Sequence, residues 1–126
     1  MKVTAWYNDL KKSKLTPPSI IFPIAWTILY IMIFYSYVLY KPKKVTLGMV
    51  LFFIQLFLNL SWSPVFFDAQ NIKAGFVIII CMVITVMLTI IEFYLTDNKK
   101  SGNLLIPYFI WIIFAGYLNY YIVKNN

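Results

Sequence analysis

Apolar residues run in four long blocks, at 19–40, 45–67, 74–95 and 104–123, separated by polar links at 41–44, 68–73 and 96–103. Each block holds 20 to 23 residues. A helix of ~20 residues is what crosses a hydrocarbon core of ~30 Å. The pattern therefore predicts an all-α integral membrane helical bundle of four transmembrane helices. Links this short predict that consecutive helices run antiparallel as neighbours, with both chain ends on one side. Residues 1–18 follow a different pattern: polar and lysine-bearing, with no apolar core and no small-residue cleavage site. They are expected to form an interfacial leader and not a removable signal peptide, leaving 19–126 as the bundle. Trp6 and Tyr7 suit the head-group level, Lys11, Lys12 and Lys14 follow, and Pro17 and Pro18 stiffen the way into the first helix. A plain membrane anchor and a lid over a pocket are both open readings of this leader.

Composition sharpens the picture. The chain is 62% hydrophobic and 20% aromatic, with a mean hydropathy of +0.78. A water-soluble domain this short has no room to hide so many large side chains, so lipid must solvate much of the surface. The net charge of +7 comes from eleven lysines set against Asp9, Asp68, Glu92 and Asp97. The lysines fall between the blocks, where they meet anionic head groups. No basic soluble face exists for a nucleic acid. Lys2, Lys11, Lys12, Lys14, Lys73 and Lys124 fall on one side of the bundle and Lys41, Lys43, Lys44, Lys99 and Lys100 on the other, a balance that sets no orientation. There is no histidine, and Cys81 is the single cysteine. A disulfide framework, a zinc site, a histidine-ligated haem iron and a Ser-His-Asp triad are all excluded, and no cofactor is expected.

The chemistry that remains lies inside the blocks. Pro23, Trp26, Tyr30 and Tyr37 follow helical spacing along one side of the first. Gln55, Asn59, Trp62 and Phe66 share a face of the second. Leu104, Tyr108, Trp111, Ala115 and Asn119 do so on the fourth. Trp26 and Trp111 come within ~5 Å of the midplane, whereas belt tryptophans sit at the interfaces. Two readings stand: large side chains filling space between helices, or indole surfaces on which a flat apolar ligand stacks. At mid-depth the amides of Gln55 and Asn59 must face protein or ligand, with interhelical hydrogen bonding the simpler role. Pro64 and Pro107, near block ends, are expected to bend their helices without breaking them.

These residues resemble the translocator protein family, also called tryptophan-rich sensory proteins or the peripheral-type benzodiazepine receptor. The matching positions are Trp6, Tyr7, Leu10, Lys12, Pro17 and Pro18 in the leader, and Pro23, Trp26, Thr27, Leu29 and Tyr30 in the first block. Gln55, Leu58, Asn59, Trp62, Pro64, Phe66 and Phe67 match in the second. Leu104, Leu105, Pro107, Tyr108, Trp111, Phe114, Ala115, Leu118, Asn119 and Tyr120 match in the fourth. The resemblance implies homodimeric membrane receptors with a pocket roofed by the leader. Porphyrins such as protoporphyrin IX and haem bind there, as do sterols and synthetic isoquinolines or benzodiazepines in many members. Carried over residue by residue, the ligand-binding positions are Trp6, Tyr7, Pro17, Pro18, Pro23, Trp26, Tyr30, Asn59, Trp62, Pro107, Tyr108, Trp111, Ala115 and Leu118. Light-driven porphyrin degradation in bacterial relatives depends on two tryptophans that match Trp26 and Trp111. Leu118, Tyr120 and Lys124 fit a proposed sterol-contact pattern. The family has five helices, the first upstream of the Trp-Tyr motif, and this chain is expected to lack it. Ser13, Leu15 and Val123 also depart from the family pattern.

A tetrapyrrole receptor in a bacterial cell membrane or an organellar outer membrane is the reading that fits these features best. The alternative is a small four-helix transporter for multiple drugs or lipophilic cations. Proton-coupled export needs a carboxylate deep in the bundle; the only candidate, Glu92, sits three residues from the end of its block. An enzyme is expected only in a photochemical sense, since no side chain is placed to act as a general base near neutral pH.

Overall fold

The computed structural model describes residues 21–40 and 46–125. It contains α1 (Ile21–Tyr40), α2 (Leu47–Ser63) continued by one π-helical turn (Pro64–Asp68), α3 (Ile72–Leu95) and α4 (Lys99–Asn125). All four helices are long and apolar enough to cross a membrane. The predicted four-helix membrane bundle is thus the observed fold. The leader, with Trp6, Tyr7, Pro17 and Pro18, and the link 41–45 lie outside the described residues.

Local chemistry sets the helix ends. The Thr46 hydroxyl accepts from Met49 N at 3.1 Å and opens α2. The Asn71 side chain accepts from Ala74 N at 3.0 Å and opens α3. Each satisfies a backbone donor that the first helical turn leaves unpaired. Pro64 does more than bend its helix. Proline brings no N–H and crowds the preceding turn, and the backbone widens so that Ala69 N donates to Pro64 O at 2.9 Å, five residues back. α3 ends where Asp97 takes a positive φ of 61°, which lets Asn98 N donate to Phe93 O at 2.7 Å. A short polar side chain tolerates that conformation best after glycine.

The fourth helix begins at Lys99, five residues before the apolar block. Hydropathy stops short because the first turns are polar, yet they are packed: Ser36 Oγ of α1 donates to Ser101 O at 2.7 Å, and Gly102 lies under the Tyr94 ring. Tertiary contact carries the helix on where the pattern of apolar residues does not.

The helices form a partial ring. α1 packs on α4, α4 on α3 and α3 on α2, while backbone approach between α1 and α2 is sparse. Those two are consecutive and joined by a short link, so close packing was expected; instead long side chains span the seam. Tyr37 stacks on Phe52 at 4.8 Å, and Tyr30 reaches Asn59. Ile79, Met82, Val86 and Phe93 of α3 fill the centre against Leu105, Tyr108 and Ile112 of α4. Phe34 and Phe57 project outward at 72% exposure each, which suits lipid and not water.

One close approach has a measurable cost. A Cβ on Gly48 would fall 2.7 Å from Tyr40 Oη and 3.1 Å from the Phe93 ring. Tyr40 has little room to retreat, being stacked on Phe93 at 4.4 Å and hydrogen-bonded to Thr46 Oγ1 at 2.5 Å. Gly48→Ala is expected to destabilise the bundle by about 1–3 kcal/mol. Adding Tyr40→Phe, which removes the clashing oxygen, should recover part of the loss. Unfolding in mixed micelles followed by helical circular dichroism checks both; an unchanged midpoint for the single variant would refute the crowding.

Candidate functional site: an aromatic and amide cluster on the α1–α2 seam

Helical spacing puts Trp26 and Tyr30 one turn apart on α1, with ring centroids 5.7 Å apart. Trp26 is 8% exposed, and its indole meets Tyr108 at 6.4 Å and 67° and Trp111 at 6.3 Å and 90°. Both are edge-to-face arrangements, the geometry in which a positive ring edge meets a negative ring face. The two mid-depth tryptophans singled out by their position are therefore in direct contact, on facing helices.

Beside the rings runs a chain of buried polar groups. Tyr30 Oη donates to Asn59 Oδ1, Asn59 Nδ2 donates to Tyr108 Oη at 2.8 Å, and Tyr108 Oη donates to Gln55 Oε1 at 2.8 Å. Three helices are tied together at the depth where water is absent and an unmet hydrogen bond is costly. A second polar tie lies less than one turn beyond Asn59 along α2. Trp62 Nε1 donates to Asn119 Oδ1 at 3.2 Å, and Asn119 Nδ2 donates to Ile72 O at 3.0 Å. The Trp62 ring itself stacks on Phe66 at 4.9 Å.

Two spaces lined by described residues adjoin this cluster. An open cleft of about 230 Å³ lies on the α1–α2 seam, lined by Pro23, Trp26, Thr27, Tyr30, Asn59 and Ser63 among others. Deeper in is an apolar void of about 20 Å³, lined by Trp26, Trp62, Ile79, Met82, Ile112 and Ala115. That is room for about one water and no polar group to hold it. Trp26 lines both spaces, as a partition between them.

Of the candidate residues, Pro23, Trp26, Tyr30 and Asn59 come together on the cleft. Trp62 and Ala115 come together on the void. Tyr108 and Trp111 stand behind Trp26 and line neither space. Pro107 is exposed on the outside of α4, and Leu118 is buried at 5%, away from the seam cluster. The sterol-pattern residues do not share a face: Leu118 turns inward, while Tyr120 and Lys124 are exposed one turn apart. Two features escaped the sequence reading. It placed no site residue on the third block, yet Ile79 and Met82 line the void; the block is apolar on every face, so helical spacing does not single out the inward one. Gln55 makes the interhelical hydrogen bond expected of it, to Tyr108; what the sequence did not show is that this bond ends a chain reaching Tyr30.

The sequence profile of the TspO/MBR family matches residues 1–124. The chain belongs to the TspO/MBR family. Among its relatives in that family is the tryptophan-rich protein TspO of Chlorobaculum tepidum, 42% identical over 131 residues, covering 99% of this chain and 82% of the relative. The tryptophan-rich protein TspO of Archaeoglobus fulgidus is 42% identical over 134 residues, covering 98% and 82%. The human translocator protein is 29% identical over 127 residues, covering 96% and 75%. In this TspO/MBR chain the paired indoles, the amide chain and the seam cleft lie side by side. They offer flat apolar surface and a few neutral hydrogen-bonding groups, a set suited to recognition more than to proton transfer.

Proposed function

We propose that this TspO/MBR protein is a membrane receptor for porphyrins, protoporphyrin IX and haem among them, which enter through the α1–α2 seam. One observation carries the reading: Trp26 is at once a wall of the open cleft and a wall of the small apolar void. A flat ligand arriving in the cleft meets the indole face first. Displacing that ring joins the two spaces without unpacking α3 from α4. The sparse backbone contact between α1 and α2 makes this seam the one that opens at least cost. A free-base porphyrin needs no axial ligand, so the absence of histidine is no obstacle.

Titrating the purified full chain with protoporphyrin IX in detergent tests this. The expected result is saturable, micromolar quenching of tryptophan fluorescence. Quenching that grows linearly without saturating, in a sample that remains helical, would overturn the reading. Degradation of bound porphyrin in light is proposed as a side activity of binding: the excited ring activates dioxygen, and the porphyrin and the adjacent indoles are the oxidisable partners. A sterol, if recognised, would lie outside along Tyr120 and Lys124. The transporter alternative has little support, because Glu92 lies three residues from the end of α3 at Leu95 and is not deep in the bundle.

A further inference from the structure

The Gln55 side chain is 0% exposed, and although its Oε1 accepts from Tyr108, its Nε2 has no hydrogen-bond partner among the described residues. An unmet N–H at this depth is costly and asks for an explanation. The opposite end of the same polar chain is the Tyr30 hydroxyl, on the wall of the cleft. All three links point one way, from the cleft inward: Tyr30 to Asn59, Asn59 to Tyr108, Tyr108 to Gln55. Yet every member is both donor and acceptor. Turning the two amides and the two hydroxyls rebuilds the same links in the opposite sense, with no movement of the backbone. Gln55 Nε2 then donates to Tyr108, Tyr108 to Asn59 Oδ1, and Asn59 Nδ2 to Tyr30. The buried donor gains its partner, Gln55 Oε1 gives up its own and becomes the orphan in its place, a lesser cost for a carbonyl than for an N–H, and the Tyr30 O–H is released toward the cleft. An empty cleft offers that proton nothing, so the inward sense holds. An occupant with an acceptor at the Tyr30 end tips the balance.

We infer that Tyr30, Asn59, Tyr108 and Gln55 form a reversible hydrogen-bond relay that selects for occupants of the Trp26 cleft bearing a hydrogen-bond acceptor, such as a ring carbonyl or a carboxylate. The inference rests on the cleft being the ligand site proposed above, and it adds a chemical preference and a sensing element within the bundle. The indole supplies affinity for any flat apolar ligand. The relay supplies the discrimination, because only an acceptor completes the chain at both ends.

Fluorene and fluorenone, flat tricyclic probes that differ by a carbonyl, separate these parts. With the full chain in detergent, tryptophan quenching is expected to show both binding, with fluorenone favoured about threefold, the worth of one hydrogen bond in a membrane protein. Tyr30→Phe should erase that difference. Gln55→Leu should widen it, since Tyr108, left without its inner acceptor, turns to Asn59 and sets Tyr30 outward before any ligand arrives. Should that variant fail to fold, glutamine labelled with ¹⁵N in the side chain reads the relay in the unsubstituted protein. Gln55 and Gln70 are the two glutamines of the chain, and Gln70 is exposed in a link and serves as the internal control. Fluorenone should shift the Gln55 amide signal, fluorene should leave it in place, and Gln70 should respond to neither. Equal affinities for the two probes would overturn the relay while leaving the ligand site standing. A preference for fluorenone with an unmoved Gln55 signal would also overturn it, reducing Tyr30 to a fixed donor. Saturable binding of neither probe would overturn the relay and the ligand site together.

Discussion

Truncating Tyr108 to alanine is expected to destabilise the bundle by about 3 kcal/mol, the low end of what emptying a large aromatic site costs in a soluble core. The ring is fully buried, touches Trp26 edge-on, and bonds helices α2 and α4 through Asn59 and Gln55. In a bilayer the unfolded reference is already in hydrocarbon, so the water-to-oil share of the usual penalty falls away. What remains is the lost packing around the cavity and two amides stripped of a shared partner. Tyr108→Phe separates these. It keeps the ring and removes two hydrogen bonds, at ~0.6 kcal/mol each in membrane proteins, so the expected loss is about 1 kcal/mol. Unfolding midpoints in mixed micelles give both values. Equal losses for the alanine and phenylalanine variants would mean that the hydroxyl network, and not the ring, holds α4 against α2.

The reading of Tyr108 illustrates what the sequence made legible. Span lengths and the spacing of large residues predicted the four helices and placed Trp26, Tyr108 and Trp111 inside the bundle, because a membrane makes apolarity and length nearly sufficient for a helix. The same spacing put Asn59, Trp62 and Asn119 on inward faces, and all three are found in hydrogen bonds there. The rest required partners that composition does not name. The start of α4 at Lys99 depends on Ser36 meeting Ser101, a contact between residues far apart in the chain. The third block reads as uniformly apolar, so its inward residues Ile79 and Met82 differ from its lipid-facing Ile80 and Ile84 only in phase. Nor does the order of short links disclose that α1 leans on α4 more closely than on α2. That arrangement leaves the seam open. In a bilayer, apolar helix faces gain little from meeting one another instead of lipid, so small residues and polar ties decide which pairs close.

Substituting Trp26 and Trp111 should split binding from photochemistry. Trp26 lines the cleft, so Trp26→Ala removes both the stacking surface and the partition and is expected to weaken protoporphyrin IX at least about tenfold. One ring pair contributes ~0.5–1.5 kcal/mol beyond its buried area, and the lost area adds to it. Trp111 lines neither space and reaches the cleft only through the edge of Trp26, at 6.3 Å. Trp111→Phe preserves an aromatic support and should change the affinity by no more than about threefold. In light, the expectation reverses for Trp111. If bound porphyrin is consumed through the oxidisable indole pair, Trp26→Phe or Trp111→Phe alone should slow bleaching relative to the amount of porphyrin bound, and the Trp26→Phe/Trp111→Phe double variant should stop it, because phenylalanine is far harder to oxidise than indole. Absorption spectra of saturated samples, kept in darkness or illuminated in air, measure this directly. Dark samples should hold their spectra throughout. Equal bleaching per bound porphyrin in the double variant would remove Trp26 and Trp111 from the chemistry. An affinity undisturbed by Trp26→Ala would place the ligand somewhere other than the seam.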